Sequence, residues 1–331
     1  MRTDILGRGP YFDELTGGEQ FSAPAITLTT GLAAAHQAIT GDRLALTLDH
    51  ELCRSVTGGD PLAPPGLVWD IAIGQSTVVT QHVKANLYYR GLAFSRAPRI
   101  GDTLQTSTQV VALRQNRPRE GRVPTGLAAL RITTTDQEDR QVLDFWRCAM
   151  LPLRDQDRQT GHADDLDQVG RDISTADLGK LANGWQLARL AARTGGPHPA
   201  DLRAGQSFEV AGGDVVSAAP ELARLTLNIA AVHHDRQAGG NARLVYGGHA
   251  IGLALSQAAR ALPSLATVVG WHGCDHLAPV REGDTLRSTI TVEQIGLLPD
   301  GGGLAHLRSV VRADGPPDRD VLDWRYVALL A

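Results

Sequence analysis

Two stretches of the chain, IGDTLQTSTQVVAL (Ile100 to Leu113) and EGDTLRSTITVEQI (Glu282 to Ile295), share Gly-Asp-Thr-Leu and then alternate polar and apolar residues. Gly-Asp is a turn signal. The alternation puts Leu104, Thr106, Thr108 and Val110 on one face, and Leu286, Ser288, Ile290 and Val292 on the matching face of the second copy, as expected for half-buried antiparallel strands. Other landmarks recur in the same order. YFDELTGGEQF (Tyr11 to Phe21) is echoed by LRAGQSFEV (Leu202 to Val210). A glycine opens an apolar helical run in each half, Gly66 in PPGLVWDIAIGQSTVV and Gly247-Gly248 in YGGHAIGLALSQAARALP, where Pro263 stops the run. Each half closes on a similar strand, VLDFWRCAMLPL (Val142 to Leu153) and VLDWRYVALLA (Val321 to Ala331). A period this long indicates domain duplication, not a solenoid. Each unit therefore reads as a buried helix wrapped by an antiparallel sheet, an α+β arrangement.

The duplication is asymmetric at one loop. TGDRLALTLD carries Asp42, Thr47 and Asp49; LNIAAVHHD carries Asn228, His233 and Asp235 at the same spacings. Only the second copy has a histidine, the side chain whose ordinary pKa lies nearest neutrality. This pattern is that of one working and one retired site. Residues 1–153 and 201–331 form the two units. Residues 154–200 match neither: a polar linker is followed by DISTADLGKLANGWQLARLAAR, expected to be one helix with Ser174 or Thr175 as N-cap and Gly195-Gly196-Pro197 as its stop, packing across both halves. Arg114 to Gly126 reads as a hairpin tip.

Bulk properties narrow the classes. The 331 residues are 42% hydrophobic and 21% charged, with 32 Lys and Arg against 36 Asp and Glu. The net charge of -4 argues against a nucleic-acid partner. No apolar run approaches the ~20 residues of a membrane span, and the N-terminus is too polar for a secretory signal. Three separated cysteines, Cys53, Cys148 and Cys274, do not make a disulfide framework. A cytoplasmic enzyme is the expectation.

The loop, the glycine-led helix and the GDTL turn resemble the hotdog fold of MaoC-like enoyl-CoA hydratases, here as a tandem double hotdog. Three stretches, ANLYYRGLAFSRAPRIGDTL (Ala85 to Leu104), LNIAAVHHD with ARLVYGGHAIGLALSQA (Ala242 to Ala258), and WHGCDHLAPVREGDTL (Trp271 to Leu286), are most similar to mesaconyl-CoA hydratases, also called β-methylmalyl-CoA dehydratases. Asn-x-x-x-x-His in place of Asp-x-x-x-x-His is shared with that subgroup, whereas the first-half loop is closer to the generic hydratase spelling.

The resemblance implies a hydro-lyase on a branched enoyl-CoA, with an acyl-CoA thioester as partner, no cofactor, no metal and a possible homodimer. His233 is the expected acid–base. Asn228 would hold water or the thioester carbonyl. Gly247 and Gly248 would offer backbone N–H groups to an enolate oxygen. Tyr246 and His249 are expected to shape the acyl pocket, and Arg243 to meet a substrate carboxylate. Asp235, Asp275 or Asp42 could assist His233. His234 should point away from His233, and Asp102 and Asp284 are turn residues. His272, Cys274 and His276 would share a strand face, a pattern open to zinc, though the related hydratases use no metal. The competing expectations are a related dehydratase on another acyl-CoA or acyl-carrier substrate, a non-catalytic thioester-binding protein, and a hotdog thioesterase.

Overall fold

The structure is a computed structural model, and it describes residues 7–170, 172–299 and 301–331; the polar N-terminal six residues lie outside it. One antiparallel sheet of twelve strands runs through the molecule. Its path is Gln20–Ser22, Thr103–Gln115, Thr125–Thr135, Gln141–Pro152, Ala85–Phe94, Leu265–His276, Arg319–Leu330, Gly303–Ala313, Thr285–Leu297 and Ser207–Glu209, and Ile26–Thr27 and Asp214–Val215 add to its edges. The path reads the same from either end. At its middle Tyr89 pairs with Cys274 and Leu92 with Trp271, so the halves join through backbone hydrogen bonds. This is the α+β arrangement expected from the repeat and the tandem double hotdog that the resemblance implied.

The strands behave as their alternation dictates. Leu104, Thr106, Thr108 and Val110 are buried while Gln105 and Ser107 are exposed, and Leu286, Ser288, Ile290 and Val292 repeat the pattern. In both GDTL turns the aspartate holds the turn: Asp102 accepts from Arg99 N–H and Asp284 from Arg281 N–H, each at 2.9 Å.

The two central helices, Pro65–Gln75 and Gly247–Ala261, lie side by side under the sheet. Every residue of the first is buried, which is why its pattern is apolar all round. Each fully buried Leu67 or Ile71 contributes about 1.5–3 kcal/mol. Glycines set the helix approach. A Cβ on Gly74 would lie 1.8 Å from the Thr226 carbonyl oxygen, and one on Gly248 would lie 1.9 Å from Asp70 Oδ1. Only hydrogen fits at either place.

The segment expected to be one helix over 172–193 is broken. Ser174 does cap Thr175–Gly179, accepting from Asp177 N–H. Asn183 and Gly184 then interrupt it, Gly184 at φ +81°, and a second short helix spans Leu187–Ala191. Asn and Gly are poor helix formers and take left-handed backbone readily. The segment packs across both halves: Gln186 N–H donates to Val56 O at 2.7 Å, and Leu187 and Leu190 share a cluster with Leu46, Val56, Val269 and Leu329.

Candidate active site

The asymmetric loops have one backbone and two chemistries. Leu44 (φ -63°, ψ 119°) and Ala230 (φ -61°, ψ 120°) precede four-residue helices, Ala45–Leu48 and Ala231–His234. Asp42 Oδ1 accepts from Leu44 N–H at 3.0 Å, and Asn228 Oδ1 from Ala230 N–H at 2.9 Å. In the first loop the Thr47 hydroxyl closes onto Leu44 O at 2.9 Å. In the second, His233 Nδ1 donates to Leu244 O at 2.8 Å. That bond puts the proton on Nδ1 and leaves Nε2 a bare acceptor, without a protein partner among the described residues.

His233 lines a cavity of about 400 Å³ formed by both halves. From the second half come Asn228, Tyr246, Gly247 and His276; from the first come Thr77, Asn86, Tyr89 and Arg147. Burial pushes the His233 pKa down to about 4, aided by the charge of Arg147, so the ring is neutral near pH 7. His276 is likewise held near 4, by burial and by His233, and its buried Nε2 has no partner. A Cβ on Gly247 would lie 2.5 Å from the His276 ring, so glycine lets that ring close over the helix start. At that start the first free N–H groups are those of Gly247 and Gly248, since His249 N–H already donates to Tyr246 O. The Tyr246 ring stands 5.6 Å from the His233 ring, and its hydroxyl donates to Asp70 O at 2.9 Å.

Several expected residues are elsewhere. His249 lies two positions past Gly247, about 200° round the helix, fully buried in the core with both ring nitrogens unpartnered. Gly248 faces Asp70 on the neighbouring helix, not the cavity. Arg243 donates from Nε to His234 O at 2.9 Å and does not reach the cavity. His234, expected to point away from His233 on an extended segment, sits instead on the short helix Ala231–His234 and donates from Nε2 to Asn228 O at 2.7 Å. No described carboxylate lines the cavity. Asp235 is exposed and accepts from Gln237 N–H; Asp275 is exposed beside Asp323; Asp42 stays in the other loop.

The proposed shared face of His272, Cys274 and His276 also fails. The pairing slips between Arg325 and Tyr326, skipping His272, so Trp271 and Cys274 face inward while His272 turns out to stack on His306. Reasoning from the sequence overlooked Arg147 and Tyr89, which come from the half without the histidine. It weighed His276 only as a metal ligand. The one signal for Arg147 was an arginine inside the largely apolar closing strand Gln141–Pro152, where it is buried.

The double hotdog thus brings a neutral histidine and a helix start into one cavity lined by both halves, with no carboxylate among the described lining residues. No family model matches the chain. It is 28% identical to β-methylmalyl-CoA dehydratase of Chloroflexus aurantiacus, over 96% of this chain and 91% of that one. It is 26% identical to mesaconyl-CoA hydratase of Cereibacter sphaeroides, over 93% and 90%. Its fold matches RV0216 of Mycobacterium tuberculosis, a conserved hypothetical protein with a double hotdog fold, at TM-score 0.92 and 54% identity, over 99% of this chain and 100% of that one. The chain belongs to the double hotdog family, and its named relatives, a dehydratase and a hydratase, make it an enzyme of the hydro-lyase class.

Proposed function

We propose that the chain adds water reversibly to the double bond of a branched enoyl-CoA, converting mesaconyl-CoA to β-methylmalyl-CoA, with His233 as the acid–base. The observation that carries this is the His233–Leu244 bond, which leaves a bare Nε2 in the cavity. The named relatives favour the substrate. In the hydration direction His233 Nε2 takes a proton from water, and the water oxygen bonds to the β-carbon. The double-bond electrons shift toward the thioester, and the N–H of Gly247 at the positive end of its helix stabilises the enolate oxygen. The imidazolium then returns its proton to the α-carbon, restoring His233. Asn228 Nδ2 makes no hydrogen bond among the described residues, and it holds the water or the carbonyl. Exposed Lys84 at the cavity suits the phosphates of CoA, and half-buried Arg281, whose guanidinium donates to Ala242 O and Gly239 O, adds positive charge beside it.

The test is to incubate the protein, and His233→Ala beside it, with mesaconyl-CoA and a panel of enoyl-CoAs, following loss of the enoyl-thioester absorbance and release of free thiol. Hydration that depends on His233 is expected. Failure to hydrate any member would end the hydratase reading, equal rates in the variant would end the role of His233, and thiol release would indicate a thioesterase.

A further inference from the structure

The proposed hydration leaves Arg147 without a task. Arg147 sits on Gln141–Pro152 in the first half, is 3% exposed, and lines the same cavity as His233. Its Nη2 donates to Ser76 O at 3.2 Å and to Thr80 Oγ1 at 2.6 Å; its buried Nε has no hydrogen-bond partner among the described residues. Among the described residues it has no ion pair: the groups beside it are Tyr246 and Tyr89, which also interacts with its side chain, and both are phenols that burial keeps neutral. A guanidinium stays protonated in proteins, and a buried charge without a counter-charge is costly. The cavity supplies no Asp or Glu to balance it. The missing anion must therefore arrive with the ligand.

The ligand has two places for negative charge. Lys84 is exposed, at the cavity's outer side, whereas Arg147 is deep. Arg147 and His233 line the same cavity, so an anion on Arg147 shares the chamber in which the proposed acid–base meets the acyl chain. We propose that Arg147 binds a carboxylate on the acyl chain, so that the site selects enoyl thioesters of dicarboxylic acids over neutral ones. This rests on the hydratase reading, and it assigns to Arg147 the role that the sequence suggested for Arg243.

The alternative duty of Arg147 is structural, since Ser76 O lies at the end of the first central helix. The test compares kcat/KM for mesaconyl-CoA and for crotonyl-CoA in the wild type, Arg147→Gln and Arg147→Lys. Calorimetric binding of the unreactive pair succinyl-CoA and butyryl-CoA is measured on each. For Arg147→Gln we expect a loss of roughly 10–100-fold with mesaconyl-CoA and of less than about threefold with crotonyl-CoA, with the same split in binding. Arg147→Lys keeps the charge and should lose less, again only for the diacid, and it carries the test if Arg147→Gln does not fold. Equal losses for both substrates would assign Arg147 to helix capping and overturn the proposal. Hydration of both with no preference in the wild type would overturn it while leaving the hydratase reading intact. Arg147-dependent preference for succinyl-CoA without hydration of either enoyl thioester would overturn the hydratase reading and leave the carboxylate site standing.

Discussion

Asp42 and Asn228 each accept, through Oδ1, the backbone N–H two residues on, from Leu44 at 3.0 Å and Ala230 at 2.9 Å. The shared bond fixes the loop, so the difference between the halves lies in what else the side chain offers: a second carboxylate oxygen or an amide NH2. Asn228→Asp should keep the fold, with an unfolding midpoint close to wild type, and lower kcat/KM because the cavity loses a donor. Asn228→Ala should also destabilise by about 1–3 kcal/mol, since Ala230 N–H is left buried and unpaired. Urea unfolding beside initial rates separates the two effects; wild-type activity in Asn228→Asp would remove the amide from the mechanism.

Removing the proposed acid–base group should act on kcat. For His233→Ala we expect a fall of about 10²–10⁴ in kcat, with KM changed little and the melting temperature near wild type, because the side chain makes a single hydrogen bond, to Leu244 O. A large KM rise at constant kcat would recast His233 as a binding residue.

The pH profile has a definite sign. The base works when neutral, and burial sets its pKa at about 4, below the ordinary histidine value. Hence kcat/KM should stay level through pH 6 and fall only as pH approaches 4. Stability has the same direction. The unfolded chain takes up protons on His233, His249 and His276 first, near pH 6.5, while the folded chain resists until about 4. The stability tied to these residues is complete above pH 6.5 and is lost as pH falls from there toward 4. A break in kcat/KM at 6.5 would mean that His233 is ordinary and solvated.

His249 stands at the helix position that Leu67 fills in the first half, buried with two unpartnered ring nitrogens. His249→Leu should therefore stabilise the protein by about 1 kcal/mol or more and flatten the acid loss of stability, with activity retained. Thermal melts at pH 5 and pH 8 check it; destabilisation at both would indicate an unrecognised partner for the ring.

Gly248→Ala tests the helix contact. The added methyl would meet Asp70 Oδ1, so we expect a cost of about 1–3 kcal/mol from overpacking. Gly247→Ala would push on the His276 ring and should lower activity more than stability. Calorimetry and rates on both variants distinguish these effects.

The repeat was legible because duplicated backbone demands duplicated local chemistry: GDTL turns, glycine-led helices, and Asp or Asn at the loop start. The histidine stood out because its counterpart is Thr47. Three things were not legible, each for a physical reason. Arg147 faces the cavity because strands from the opposite half meet there, and a local pattern carries no information about a partner strand. His272 leaves its expected face because one slipped pairing resets the alternation. The segment over 172–193 was read as one helix because its apolar spacing persists across Asn183-Gly184, where the backbone turns instead.

The junction of Ala85–Phe94 with Leu265–His276 has a consequence for how such a cavity can change over time. When the two sides of a cavity come from two copies of one chain, any substitution appears on both, and a gain at one wall is imposed on the other. Here the walls are encoded separately. The side bearing Arg147 can be retuned for a ligand while the side bearing His233 keeps its loop, and dilution cannot pull the two apart.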